Sequence, residues 1–256
     1  MFCRYKSFCW PRSLIKHGGN DSGAISHNAK FAEKDLNLDT AKAVIKELEK
    51  YGVTTYTSRT DDSTVGLRER SEMANDIKDL DLFVSIHHNA SSNKDANRSE
   101  IIYQLNNRDA QLLAECISNQ LEDLGEDIEV KIYSRYNSRG TDYYSVLRHT
   151  NAPAVIVEVS FITSEEGLAL VDSKEERERN GILIAHGILD YLEIDYTKEV
   201  KNTKEVKKDK KVDVKAKESS ALDILLNSIN NRKKNKSSLD ILNKILNRDW
   251  LNWENF

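Results

Sequence analysis

The chain has 256 residues, 39% of them hydrophobic and 31% charged, with a formal net charge of −4 and both signs mixed along it. That length suits one ordinary domain plus an appendage, and two prolines in a well-charged, moderately apolar chain imply a mostly globular protein. The charge balance gives no reason to expect nucleic acid, no run approaches the ~20 apolar residues of a membrane span, and no signal-peptide core follows the basic N-terminus.

Residues 1–16, "MFCRYKSFCWPRSLIK", are aromatic, basic and cysteine-bearing, and are set apart as an atypical N-terminal segment. With Cys3 and Cys9 here and Cys116 in a helical pattern, the three cysteines read as free thiols. Residues 33–50 carry Leu38, Ala41, Ile45 and Leu48 at helical spacing, a stripe expected to be buried, with Gly52 placed to end the helix. "VTTYTSR" is a short β-rich run and "TVGLRERSEMANDI" a second helix. Leu80 to Ile86 form a compact apolar run typical of a strand buried on both faces. "RDAQLLAECISNQLEDLG" is helical, "PAVIVEVSFI" is another buried strand, and helical material fills the stretch to Ile194. The alternation predicts an α/β fold with a mainly parallel central sheet flanked by helices.

From residue 197 to 217 lysines outnumber acids and apolar residues are few, which reads as a solvated linker. Beyond it "LDIL" occurs at 222–225 and again at 239–242, each after serines that suit helix N-caps. Residues 218–256 are therefore expected to form two short helical repeats, a small helical C-terminal appendage. Repeats this short bury little surface alone, which predicts a cell-wall polymer or protein partner for them.

Four residues suggest chemistry. His17 follows the first short apolar segment, Glu33 opens the first long helix, His87 ends an apolar strand, and Glu158 lies among β-branched residues of another. A catalytic zinc needs three protein ligands and an open position. A carboxylate inside an apolar strand is costly unless it has a task. Each also has a plain alternative: a loop histidine, a first-turn acid favoured by the helix dipole, a strand-end histidine, a satisfied buried acid. No tight HExxH motif occurs, so the residues alone lead only as far as a metallohydrolase.

The motifs "HGGNDSGA", "EKDLNLDTAKAVIKELEKYG", "SRTDD", "LRERSEMAN", "DLFVSIHHNA" and "VLRHTNAPAVIVEVSFITSEE" occur in that order over about residues 17–194. In this the chain resembles the zinc-dependent N-acetylmuramoyl-L-alanine amidases of the amidase-3 type. The resemblance implies a catalytic domain over 17–196 with a mainly parallel six-stranded sheet. It implies His17, Glu33 and His87 as zinc ligands and Glu158 as catalytic acid/base. The activity implied is cleavage of the amide between N-acetylmuramic acid and the L-alanine of the stem peptide in peptidoglycan, at the bacterial cell wall, as an autolysin or phage endolysin. Asn89 is a candidate for holding substrate, or equally a turn residue. His88 is expected to face away from the metal, because neighbouring strand residues point to opposite faces; His27, His149 and His186 have no motif role.

Three departures from the family pattern carry expectations of their own. "LIK" stands where the family has an acid-proline-glycine turn after its opening strand, so loss of that strand and an unsettled His17 are expected. Ser160 and Ser99 replace glycines and are expected to alter loop geometry. Two other readings stay open: a catalytically impaired peptidoglycan-binding protein, and a related zinc exopeptidase.

Overall fold

The fold is described by a computed structural model over residues 11–15 and 17–197, with side chains from His17 to Thr197. The helical repeats expected at 218–256, the linker beyond Thr197, and Cys3 and Cys9 lie outside the described residues.

Six strands build one sheet: β1 (Pro11–Ile15), β2 (Tyr56–Thr57), β3 (Leu82–Asn89), β4 (Arg98–Tyr103), β5 (Glu129–Tyr133) and β6 (Ala154–Phe161), in the order β2-β1-β3-β6-β4-β5. All neighbours run parallel except β4 and β6, which are antiparallel. The mainly parallel α/β fold is thus as expected.

The expected loss of the opening strand is corrected. Pro11–Ile15 lies between β2 and β3, with Ile15 opposite Ile86, so the sheet begins inside the segment the sequence sets apart. The strand survives because parallel pairing uses backbone groups that any non-proline residue supplies. β4 and β5 have no counterpart in the sequence reading. β5 is a sheet edge whose residues are half-buried or exposed, so its sequence lacks the apolar signature of a buried strand.

Strand alternation divides the core. Val84, Ile86, Ile101, Val155, Val157 and Val159 meet helices α1 (Glu33–Lys50), α3 (Arg108–Leu121) and α6 (Lys174–Tyr191) on one face. Phe83, Ile102, Ala154 and Ile156 meet Ala74 of α2 (Leu67–Asn75) and Val146 and Leu147 of the short α4 (Ser145–His149) on the other. Full burial of each large side chain contributes about 1.5–3 kcal/mol. The α1 stripe is rotated from its expected position: Leu36, Ala41, Val44 and Leu48 are buried, while Leu38 and Ile45 are half-buried flanks. Both stripes satisfy helical spacing, and the place of the sheet chooses between them.

The helices are specified locally and then pressed together. Ser173 Oγ accepts from the Glu176 amide while the Glu176 carboxylate accepts from the Ser173 amide, a reciprocal cap that starts α6 after the shorter α5 (Glu165–Ala169). Asn107 Oδ1 accepts from the Ala110 amide to start α3. A Cβ at Gly187 would lie 2.5 Å from Ile117 Cα, so α6 approaches α3 at a point where only glycine fits. The domain closes at Tyr196, which stacks on His186 at 4.2 Å and whose hydroxyl accepts from Gln120 Nε2 at 3.0 Å.

Candidate metal centre and active site

The parallel strands β1, β3 and β6 end at the same edge of the sheet, the place where open α/β sheets form their sites. His17 lies two residues beyond β1, Glu33 begins α1, and His87 and Glu158 sit near the ends of β3 and β6. Among the described residues, His17, Glu33 and His87 form the group able to hold a metal, with one donor atom from each lying within 4.8 Å of the others.

Glu33 is the hub. Its Oε2 lies 3.3 Å from His17 Nε2 and accepts from the Ala24 amide at 3.0 Å. Its Oε1 lies 3.0 Å from His87 Nδ1 and accepts from Asn37 Nδ2 at 3.2 Å. Burial disfavours its charge, but the hydrogen bonds and charges of His17 and His87 outweigh burial and hold its carboxyl well below the usual carboxylate range.

Each histidine is also fixed from behind. His17 Nδ1 lies 2.8 Å from Asp21 Oδ1, and His87 Nε2 lies 3.0 Å from the Ser85 hydroxyl. These outer bonds select which ring nitrogen faces Glu33. His17 sits at φ +64°, outside the usual range for a residue with a side chain. A two-way backbone turn between Gly18 and Asp21 holds it there, with N–O distances of 2.8 and 3.1 Å. Gly23, at φ +65°, borders the cluster so closely that a Cβ would lie 2.6 Å from Glu33 Oε2 and 2.8 Å from His17 Cδ2.

These residues fit zinc. Two imidazole nitrogens and a carboxylate oxygen are its common hydrolytic donor set. One donor atom from each of the three lies within 4.8 Å of the others, near enough to converge on a single ion.

Glu158 is the register partner of His87 on β6, and Glu100 of β4 is the partner of Glu158. Directly paired residues share a face of a sheet, so His87, Glu158 and Glu100 form a row across three strands. Glu158 is half-buried; Glu100 is buried and neutralised by Arg98, with the Nε–Oε1 distance 2.6 Å. Tyr133 donates its hydroxyl to Glu100 Oε2 at 3.1 Å, and burial beside that carboxylate raises the phenol's pKa. Asn89, the candidate substrate holder, donates its amide to the same Oε2 at 3.0 Å. His88 points to the helical face, where its Nδ1 lies 2.7 Å from Asn37 Oδ1, and full burial lowers its pKa to about 3. It stays neutral and apart from the cluster's donor atoms.

The sequence reading missed Asp21, Ser85, Glu100 and Tyr133. Two had a local signal: Asp21 stands four residues after His17, and Ser85 stands two before His87 on the same strand face. Glu100 and Tyr133 had none, since strand order alone brings them to Glu158. Of the two serines that replace glycines, Ser99 Oγ donates to the Val159 carbonyl at 2.6 Å between β4 and β6, whereas the Ser160 hydroxyl is buried without a protein partner among the described residues.

Fold and site together define an α/β domain that gathers a His-Glu-His group able to hold a metal ion, beside a carboxylate, at the ends of its parallel strands. The chain belongs to the amidase-3 family of N-acetylmuramoyl-L-alanine amidases, whose pattern matches residues 15–190. The probable cell wall amidase LytH of Staphylococcus aureus is 33% identical over 182 residues, which are 71% of this chain and 56% of that relative. The chain thus spans about half the length of the curated relatives it matches. Among solved structures, the catalytic domain of the amidase CwlV from Bacillus (Paenibacillus) polymyxa superposes with a TM-score of 0.65 at 26% identity, covering 73% of this chain and 99% of that one. The CwlD amidase of Clostridioides difficile, solved in complex with the GerS lipoprotein, does so with a TM-score of 0.65 at 25% identity, covering 73% and 100%. No helix among the described residues is long and apolar enough to cross a membrane.

Proposed function

We propose that this protein is a zinc-dependent peptidoglycan hydrolase that cleaves the amide between N-acetylmuramic acid and the L-alanine of the stem peptide, acting at the bacterial cell wall. The observation that carries the reading is the convergence of His17, Glu33 and His87 with Glu158 on the strand position next to His87.

His17 Nε2, His87 Nδ1 and the Glu33 carboxylate would hold the ion. When bound, zinc supplies Lewis-acid polarisation of a carbonyl and makes water acidic enough to attack near neutral pH. Glu33 remains ionised across the working pH range and so stays a ligand. Asp21 and Ser85 keep the two rings turned toward it. Glu158 takes the proton from the attacking water and delivers it to the alanine nitrogen as the amide breaks, which prevents loss of a high-energy amide anion. The products are a muramic acid carboxylate on the glycan and a stem peptide with a free N-terminal alanine. Asn89, tied to Glu100, stays a candidate for holding substrate beside Glu158. The intact cluster favours this reading over an impaired wall-binding protein, and CwlD's complex with a lipoprotein makes a protein partner a reasonable proposal here too.

The test is digestion of purified peptidoglycan with mass spectrometry of the released ends. The zinc-loaded protein should free N-terminal alanine. Glu158→Gln should lower the rate by about 10²–10⁴-fold while keeping stoichiometric zinc. Intact muramyl–alanine bonds after digestion with the wild-type protein refute the proposal.

A further inference from the structure

The segment after β2, residues 58–64, carries the motif "SRTDD", which the chemistry above does not use. β2 runs parallel to β1 at the edge of the sheet, with Thr57 opposite Ser13. The chain leaving β2 therefore emerges at the same edge as the chain leaving β1, beside the turn that carries His17. Three side chains tie that turn down. Asp62 Oδ1 accepts from the Gly19 amide at 2.8 Å, and its Oδ2 accepts from Lys34 Nζ at 2.7 Å. Lys34 Nζ also donates to the Gly19 carbonyl at 3.0 Å. Thr64 donates its hydroxyl to the Gly18 carbonyl at 2.8 Å. The two residues that follow His17 are thus gripped by side chains 43 and 46 positions further along the chain.

The gripping segment is itself anchored from inside. Arg59 is buried and donates through one terminal nitrogen to the Lys34 carbonyl at 2.6 Å and through the other to the Asp61 carbonyl at 2.7 Å. The start of α1, which presents Glu33, is thereby tied to the segment that holds Gly18 and Gly19.

His17 needs this grip more than the other two candidate ligands do. Glu33 and His87 stand in a helix and a strand, whose own hydrogen bonds fix their backbone. His17 stands in a turn at φ +64°, followed by Gly18 at +151° and Gly19 at +58°. A residue with a side chain keeps such a conformation only where its surroundings enforce it, and two glycines in succession enforce it least. The turn between Gly18 and Asp21 shapes the loop internally; it does not fix where the loop stands against α1 and the sheet. The close approach also demands the glycines. A Cβ at Gly18 would overlap the Ser63 carbonyl oxygen, and one at Gly19 the Thr64 hydroxyl. The residues that let the clamp come near are the ones that make it necessary.

We propose that Asp62 and Thr64 are positioning residues of the metal centre: they hold the Gly18–Gly19 backbone so that His17 keeps the conformation that brings its ring to Glu33. The proposal rests on the zinc reading above and adds the part of the chain on which the His17 ligand depends.

Zinc affinity of the full chain, measured by competition with chromophoric chelators, tests it. Asp62→Ala and Thr64→Val should each weaken zinc binding by about tenfold to a hundredfold. Thr64→Ser keeps the hydroxyl and should bind as the wild type does. A His17→Ala background separates positioning from general loosening: there Asp62→Ala should cost nothing further, because the ligand it positions is already gone. Wild-type affinity in either Asp62→Ala or Thr64→Val overturns the proposal, as does Thr64→Ser binding as weakly as Thr64→Val. An equal loss from Asp62→Ala in the wild-type and His17→Ala backgrounds overturns it too, in favour of a fold-wide effect. A wild type that holds zinc no better than His87→Ala refutes the metal reading itself. With wild-type binding intact, failure of the other outcomes counts against the clamp alone.

Discussion

At the scale of single residues, the proposed metal site depends on atoms that would bind no metal. Asp21 and Ser85 choose the ring nitrogens that His17 and His87 present. Gly23 leaves the space in which His17 and Glu33 approach each other. Outer partners of this kind are typically worth about 10–100-fold in metal affinity. Asp21→Asn should therefore weaken zinc binding by about that factor, and Gly23→Ala by more, since its methyl group overlaps a ligand atom and its backbone resists a side chain at positive φ. Competition with a chromophoric chelator measures both. Zinc affinity equal to wild type in both variants means that these residues do not shape the site.

At the scale of elements, Gly187 sets intrinsic preference against packing. Alanine is the better helix former by about 0.8–1 kcal/mol, so propensity alone predicts that Gly187→Ala stabilises α6. Its Cβ would lie 2.5 Å from Ile117 Cα and 2.9 Å from the Cys116 carbonyl oxygen, and both are backbone atoms that move only with α3. Overpacking of that kind costs about 1–3 kcal/mol, so it wins, and urea unfolding of the variant should show a net loss of stability. An unchanged or higher midpoint overturns the account of how α3 and α6 meet. The same competition explains the rotated α1 stripe. Periodicity admits Leu38 and Ile45, but the sheet and α6 take the face of Leu36, Val44 and Leu48.

At the scale of the whole molecule, stability depends on pH through groups that the fold buries. His88 is fully enclosed and its pKa is lowered to about 3, chiefly by burial. In the unfolded chain it takes up a proton near pH 6.5. The unfolded state therefore binds more protons between these values, and stability must fall as pH drops through that window. The limiting slope is about 1.4 kcal/mol per pH unit. Glu33, also depressed, contributes in the same direction only once pH falls below about 4.5, where the unfolded chain begins to protonate it. Between pH 6.5 and 4.5 the difference between wild type and His88→Gln thus isolates His88. The variant should lose less stability on acidification over that range, and parallel curves refute a buried neutral His88.

The sequence by itself determined the α/β class, the buried strands around Val84 and Val157 and the helix that Glu33 opens, and it singled out His17, Glu33, His87 and Glu158 as the candidate site. These are legible because burial and helical period leave local patterns, and because the site residues stand in contiguous motifs. Only the tertiary structure decided that Pro11–Ile15 completes the sheet. It also decided that Asn89 and Tyr133 both donate to Glu100, the cross-strand neighbour of Glu158. The reason is physical. Backbone pairing accepts almost any side chain, and strand order is set by how helices cover a sheet, so neither leaves a signature in a short stretch of sequence.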